Sequence, residues 1–225
     1  MPDPTRQRLP LKAISDCRLY TFVDTAYLQG RPPADVLRAL CDGGSDVVQL
    51  RAKGEPESRV LELADGLLPI AEAAGVWFAI NDHPSVARRL RAPLCHLGQE
   101  DFFDAGHRHV SELAGADASL HFGLSSHRPA DALRAAEAGA AYVAVGPVYP
   151  TATKPGRPAV TLEYVRWAAA NLRLPWFAIG GINLANLDDV LDAGARRICV
   201  VSAILQAPDI ARACHAFRNR LPSAS

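Results

Sequence analysis

The chain lacks paired cysteines, a net charge and any long apolar run, and each absence excludes a class of protein. Its five cysteines (Cys17, Cys41, Cys95, Cys199, Cys214) are odd in number and scattered. With no Cys-x-x-Cys spacing, neither a disulfide framework nor a cysteine metal site is indicated, and they read as small, reduced, buried side chains. Lysine plus arginine number 24, as do aspartate plus glutamate, so no overall field draws the molecule to nucleic acid or to an anionic membrane. Any bound anion must be held by a local site. No apolar run approaches the ~18 to 20 residues that span a bilayer, and Met1 to Lys12 is polar where a signal peptide has its apolar core. The expectation is a cytoplasmic protein with small-molecule ligands and no nucleic-acid or membrane partner; a homo-oligomer stays open.

What is present is a core. The chain has 225 residues, 49% of them hydrophobic and 21% charged, the balance of a globular protein and too apolar for a disordered one. Short apolar or β-branched runs alternate eight times with longer amphipathic, alanine- and leucine-rich stretches. The predicted strands are Leu19 to Val23, Val47 to Arg51, Trp77 to Asn81, Leu94 to Leu97, Leu120 to Leu124, Tyr142 to Val145, Trp176 to Ile179 and Ile198 to Val201. Predicted helices include Pro33 to Leu40, Arg59 to Ala74 and Asp131 to Ala138, and glycines at 43–44, 75, 139 and 194 mark the ends of helices. Eight βα units in this length fit a single-domain α/β fold, the (β/α)8 or TIM barrel, over residues 18–221, preceded by an extension over 1–17. An open doubly wound sheet is the second choice, but Asp24-Thr25-Ala26 stands where its glycine-rich dinucleotide fingerprint would follow the first strand. No proline- or serine-rich linker divides the chain.

In a barrel the chemistry sits at the carboxyl ends of the strands. The second strand ends in Gln49, Arg51 and Lys53, which alternation places on one side; a solvated strand end paired with nearby acids would look the same. Asn81 and Asp82 follow the third strand, and His96-Leu97-Gly98-Gln99-Glu100-Asp101 follows the fourth. Asp82 and Asp101 from neighbouring strands suit a hard cation such as Mg2+ with few protein ligands. Each acid taken singly is also explained by capping the next helix. Ser125 and His127 follow the fifth strand without the Gly-x-Ser-x-Gly elbow of a nucleophile, which favours ligand binding or capping. His107, His109 and His215 lack metal-ligand spacing.

The sixth strand runs into Gly146-Pro147-Val148-Tyr149-Pro150-Thr151-Ala152-Thr153-Lys154-Pro155, a proline-stiffened loop with two hydroxyls and a lysine, suited to a phosphorylated ligand. Gly180-Gly181 and Val201-Ser202 end the seventh and eighth strands, where barrels commonly build a phosphate pocket.

The ordered set QLRAK, NDH, HLGQED, GLSSH, GPVYPTATK, AIGGI and VVSAI resembles the thiamine phosphate synthase (thiamine-phosphate pyrophosphorylase) family from about Arg18 to Ile204, most specifically in HLGQED and GPVYPTATK. The resemblance implies a (β/α)8 enzyme that joins 4-amino-2-methyl-5-hydroxymethylpyrimidine diphosphate to a thiazole phosphate, giving thiamine phosphate and pyrophosphate with Mg2+. It implies Gln49, Arg51, Lys53, Asn81, Ser125 and Lys154 on the pyrimidine diphosphate, and Asp82 and Asp101 on Mg2+. Thr151, Ala152, Thr153, Gly181, Val201 and Ser202 would then meet the thiazole phosphate. The implied reaction is dissociative, with Arg51, Lys53, Lys154 and Ser125 serving the departing diphosphate. Two rivals stay open: a thiazole tautomerase of the same barrel family using a histidine such as His127, and a non-catalytic sensor of a phosphorylated ligand. If Lys154 stabilises the leaving group, Lys154→Ala lowers turnover by ~10² or more; turnover at the parent rate in a pyrophosphate-release assay rejects that role.

Overall fold

A computed structural model describes residues 9–115, 119–150 and 159–222. Eight parallel strands close into a barrel in sequence order, β1 Leu19–Asp24, β2 Val47–Arg51, β3 Trp77–Asn81, β4 Leu94–Leu97, β5 His121–Ser126, β6 Tyr142–Val145, β7 Trp176–Ile179 and β8 Ile198–Cys199. β8 pairs back onto β1 through Leu19 with Ile198 and Tyr20 with Cys199, which leaves no free edge. Outside lie α1 Pro33–Asp42, α2 Glu57–Ala74, α3 Pro84–Leu90, α4 Ser111–Ala114, α5 Pro129–Glu137, α6 Thr161–Asn171, α7 Leu187–Asp192, α8 Ser202–Leu205 and α9 Ile210–Arg218. No helix among the described residues is long and apolar enough to cross a membrane.

The alternation read from the sequence is therefore the barrel itself, with instructive differences at the ends of strands. β5 runs to Ser126, two residues beyond its predicted end, because Ser125 and Ser126 keep pairing with Ala144 and Val145 of β6. Their hydroxyls are satisfied inside the fold: Ser126 Oγ donates to Ala144 O and Ser125 Oγ meets His96. β1 likewise gains Asp24, paired with Arg51. β8 is shorter than predicted, since Val201 (φ −111°, ψ −89°) turns the chain into α8. Gly75, Gly139 and Gly194 all have positive φ just after α2, α5 and α7, where the left-handed conformation ends a helix without a Cβ clash. All five cysteines are free thiols, and only Cys41 is not fully buried.

The amino end of the barrel is organised around Asp46, which precedes β2 and is buried. Its carboxylate accepts from the backbone N–H of Arg18 (2.5 Å) and Leu19 (3.1 Å), from Arg218 of α9 (2.6 Å), and from Lys12, with which it also forms an ion pair. Lys12 in turn accepts at its carbonyl from the Trp77 indole, 2.9 Å away. One side chain thus ties the segment before β1, the start of β1 and the last helix to β2. Asp46→Ala strands the buried N–H groups of Arg18 and Leu19 and is expected to cost about 3 kcal/mol in urea unfolding; a change under about 0.5 kcal/mol, the scale of a surface substitution, would show that Asp46 ties nothing together.

Candidate active site

At the carboxyl ends of the strands lies a cavity of about 870 Å³, counting its open mouth. Alternation along each strand explains its lining. Tyr20 and Phe22 from β1, Gln49 and Arg51 from β2, Asn81 from β3, His96 from β4, Ser125 from β5, and Tyr142 and Ala144 from β6 all face it. The loops add Gly146 and Pro147 after β6, Gly180 and Gly181 after β7, and Val201 and Ser202 after β8.

Arg51 is held in place. Its guanidinium donates to Asp24 Oδ2 at 2.8 Å, and the Asp24 carboxylate is shielded from water. The other Asp24 oxygen accepts from the Ala26 N–H at 3.0 Å, so both oxygens are occupied. Lys53 sits further out at the exposed rim and reaches Asp82 at 3.4 Å. Asp82 follows β3 with φ +60°, a left-handed conformation that is rare away from glycine, and its N–H donates to the His96 carbonyl at 2.9 Å. Asp101 lies on the turn Glu100–Asp104 after β4. Its Oδ2 occupies the space that a Cβ on Gly98 would approach to 2.7 Å. Burial, and then the charge of Asp101, raise the Asp82 carboxyl above the ordinary range, with Lys53 opposing them. Neither acid caps a helix: His83 is the N-cap of α3, with no side-chain bond, and Asp101 lies within its own turn. The capping alternative thus falls away, and the two carboxylates lie near enough for the charge of Asp101 to act on Asp82. No cluster of three or more His, Cys, Asp or Glu side chains suited to a metal occurs among the described residues.

Ser125 does not meet His127. It meets His96, whose Nε2 is 3.0 Å from Ser125 Oγ, and Gln99 donates to the Ser125 carbonyl. His127 lines the cavity with Nδ1 2.6 Å from the Gly146 carbonyl. His96 Nδ1 faces the Tyr142 hydroxyl at 2.8 Å.

The loops after β6 and β7 run together. Val148 N–H donates to the Ile179 carbonyl (2.8 Å) and Tyr149 N–H to that of Gly180 (3.0 Å). This approach is the reason for the glycines: a Cβ on Gly146 would sit 2.1 Å from the Ile179 carbonyl oxygen, and one on Gly180 2.4 Å from Pro147 Cβ. Thr151, Ala152, Thr153 and Lys154 lie outside the described residues. Of the site residues named from the sequence, Gln49, Arg51, Asn81, Ser125, Gly181, Val201 and Ser202 line one cavity, with Lys53 and Asp82 joined beside it. Sequence reasoning passed over Asp24, Tyr20 and Tyr142. Two-residue alternation from Tyr20 through Phe22 to Asp24 was the available signal.

Fold and cavity define a (β/α)8 barrel with a cavity at the carboxyl mouth, the end at which enzymes of this fold hold their sites. The model of the family described as thiamine monophosphate synthase matches residues 19–204. A thiamine-phosphate synthase of Thermus thermophilus is 53% identical over 185 residues, 82% of this chain and 86% of that protein. One from Acidothermus cellulolyticus is 45% identical, over 95% of this chain and 99% of that one. The solved thiamine phosphate pyrophosphorylase of Pyrococcus furiosus superposes with a TM-score of 0.80 at 26% identity, covering 92% of this chain and 96% of its own. The chain belongs to the thiamine monophosphate synthase family, transferases of thiamine biosynthesis.

Gly181 has φ +66°, and a Cβ there would lie 2.7 Å from Tyr149 Cβ and 2.8 Å from the Pro150 carbonyl oxygen. Gly181→Ala is expected to destabilise by about 1–3 kcal/mol. Unfolding in urea at the parent midpoint would show that the two loops do not need this close contact.

Proposed function

We propose that this mouth carries out the family's coupling reaction with the residues gathered there, in the cytoplasm and on small-molecule substrates. Gln49, Arg51, Lys53, Asn81, Ser125 and Lys154 hold the pyrimidine diphosphate, with Arg51, Lys53, Lys154 and Ser125 serving the departing diphosphate. Gly181, Val201 and Ser202, with Thr151, Ala152 and Thr153, take the thiazole phosphate. The carbon–oxygen bond to the diphosphate breaks, the electron pair leaves with pyrophosphate, and the thiazole nitrogen attacks the methylene of the resulting aminopyrimidine cation. The protein needs no covalent nucleophile for this.

The observation that carries the reading is Arg51. Asp24 fixes it beside Gln49 in the cavity, so a cation is already aimed at the leaving group before the bond breaks. Holding both reactants by their phosphates supplies the rest, by keeping nitrogen and methylene within attack distance. Asp82 and Asp101 offer the all-oxygen donor set that Mg2+ prefers, and the ion when bound would neutralise diphosphate charge. Lys53, paired with Asp82 at the rim, adds a second cation on that side.

The test mixes the protein with both substrates and Mg2+ and follows pyrophosphate. Release is expected only with all components present, and chelation by EDTA abolishes it. A tautomerase or a sensor gives no release, and that result would reject the synthase reading.

A further inference from the structure

Beneath the cavity, five side chains from five strands form one unbroken line of hydrogen bonds across the barrel. Gln49 Nε2 is 2.8 Å from Tyr20 Oη, and Tyr20 Oη is 2.9 Å from Tyr142 Oη. Tyr142 Oη is 2.8 Å from His96 Nδ1, and His96 Nε2 is 3.0 Å from Ser125 Oγ. The line exists because Gly123, two residues before Ser125 on β5, has no side chain. A Cβ there would lie 1.9 Å from Tyr142 Cζ and 2.3 Å from its hydroxyl oxygen, so the tyrosine could not cross to its partners.

Counting hydrogens gives the line a direction. Both tyrosines are fully buried, and desolvation pushes both phenols far above their ordinary range, so each hydroxyl keeps its one hydrogen. Tyr20 accepts from the Gln49 amide nitrogen, which can only donate; within the line its own hydrogen finds an acceptor only at Tyr142, the reverse order leaving that buried hydrogen unmatched. Tyr142 in turn donates to His96 Nδ1. A ring nitrogen that accepts carries no hydrogen, so the neutral imidazole bears its hydrogen on Nε2, facing Ser125 Oγ. Ser125 accepts that bond and retains its own hydrogen at the wall of the cavity. The opposite direction, with the Gln49 amide oxygen toward Tyr20, would turn the serine hydrogen onto His96 and leave only lone pairs for a ligand. An anionic leaving oxygen requires a donor, which the first direction alone provides.

We propose that Tyr20, Tyr142 and His96 are positioning residues that order these hydrogens so that the Ser125 hydroxyl donates to the departing diphosphate. This rests on the function proposed above, and the two can fail separately.

The first measurement is the 15N spectrum of histidine-labelled wild-type protein. It is expected to show His96 neutral with the hydrogen on Nε2; a hydrogen on Nδ1, or a doubly protonated ring, overturns the directed line. The second is a double-mutant cycle. Ser125→Ala and His96→Leu are each expected to lower kcat by ~10- to 100-fold, with KM for both substrates within about twofold of wild type. The double variant is expected to lose no more than about twofold beyond Ser125→Ala, because the histidine acts through the serine. His96→Gln, which can still present an N–H to Ser125, recovers part of the loss. Multiplying losses, or a glutamine variant as slow as the leucine one, overturn the role. Failure of the wild-type protein to release pyrophosphate would overturn the proposed function instead, and the ring's tautomer would then decide the directed line alone.

Discussion

A closed barrel can hold polar side chains inside it only if each finds a partner, because water cannot reach an unmatched donor or acceptor there and the stranded group costs free energy. In this chain that constraint is met by one continuous line, Gln49 to Tyr20 to Tyr142 to His96 to Ser125. Each inner member, Tyr20, Tyr142 and His96, meets a neighbour on both sides, so identity, rotamer and strand register are constrained together. Aromatic rings complete the layer: Phe177 stands edge-on to both Tyr20 and Tyr142, at 5.4 and 5.3 Å between ring centres. The floor of the cavity is rigid for that reason, and a rigid floor is what the groups above it need in order to meet a ligand without rearranging.

The same economy appears at the rim. Arg51 would be a flexible cation if it stood alone, but Asp24 lies next to it across the β1–β2 register and removes its freedom. Asp82 directly follows β3 and Asp101 lies on the turn after the adjacent β4, so topology brings the two charges to one side of the mouth. Opposing these, the amino end of the barrel carries Asp46 and its cationic partners, which hold the fold. Stability and chemistry occupy opposite ends of the strands, as barrels of this kind allow.

Much of this was legible in the residues. The eight alternations placed all the strands, and the polar strand ends singled out Gln49, Arg51, Asn81, Ser125, Gly181 and Ser202, which the fold brings to one cavity. What stayed hidden has a common physical cause. Tyr20, Tyr142 and Asp24 sit within apolar runs, where an aromatic or a single acid reads as core or as a turn, and their roles depend on partners from strands far away in the chain. Ser125 drew attention to His127, two residues off, when its partner was His96 on the neighbouring strand. Adjacency in sequence misleads inside a parallel sheet, because every lateral contact crosses a whole helix and its loops.

The meeting of Lys12 and Arg218 on Asp46 places the approach to the first strand beside the last helix. The cylinder is therefore fastened at its seam twice, by the backbone pairing of β8 with β1 and by this charged clasp outside it. Opening the ring between its first and last staves, which share only two paired positions, therefore means breaking the clasp as well.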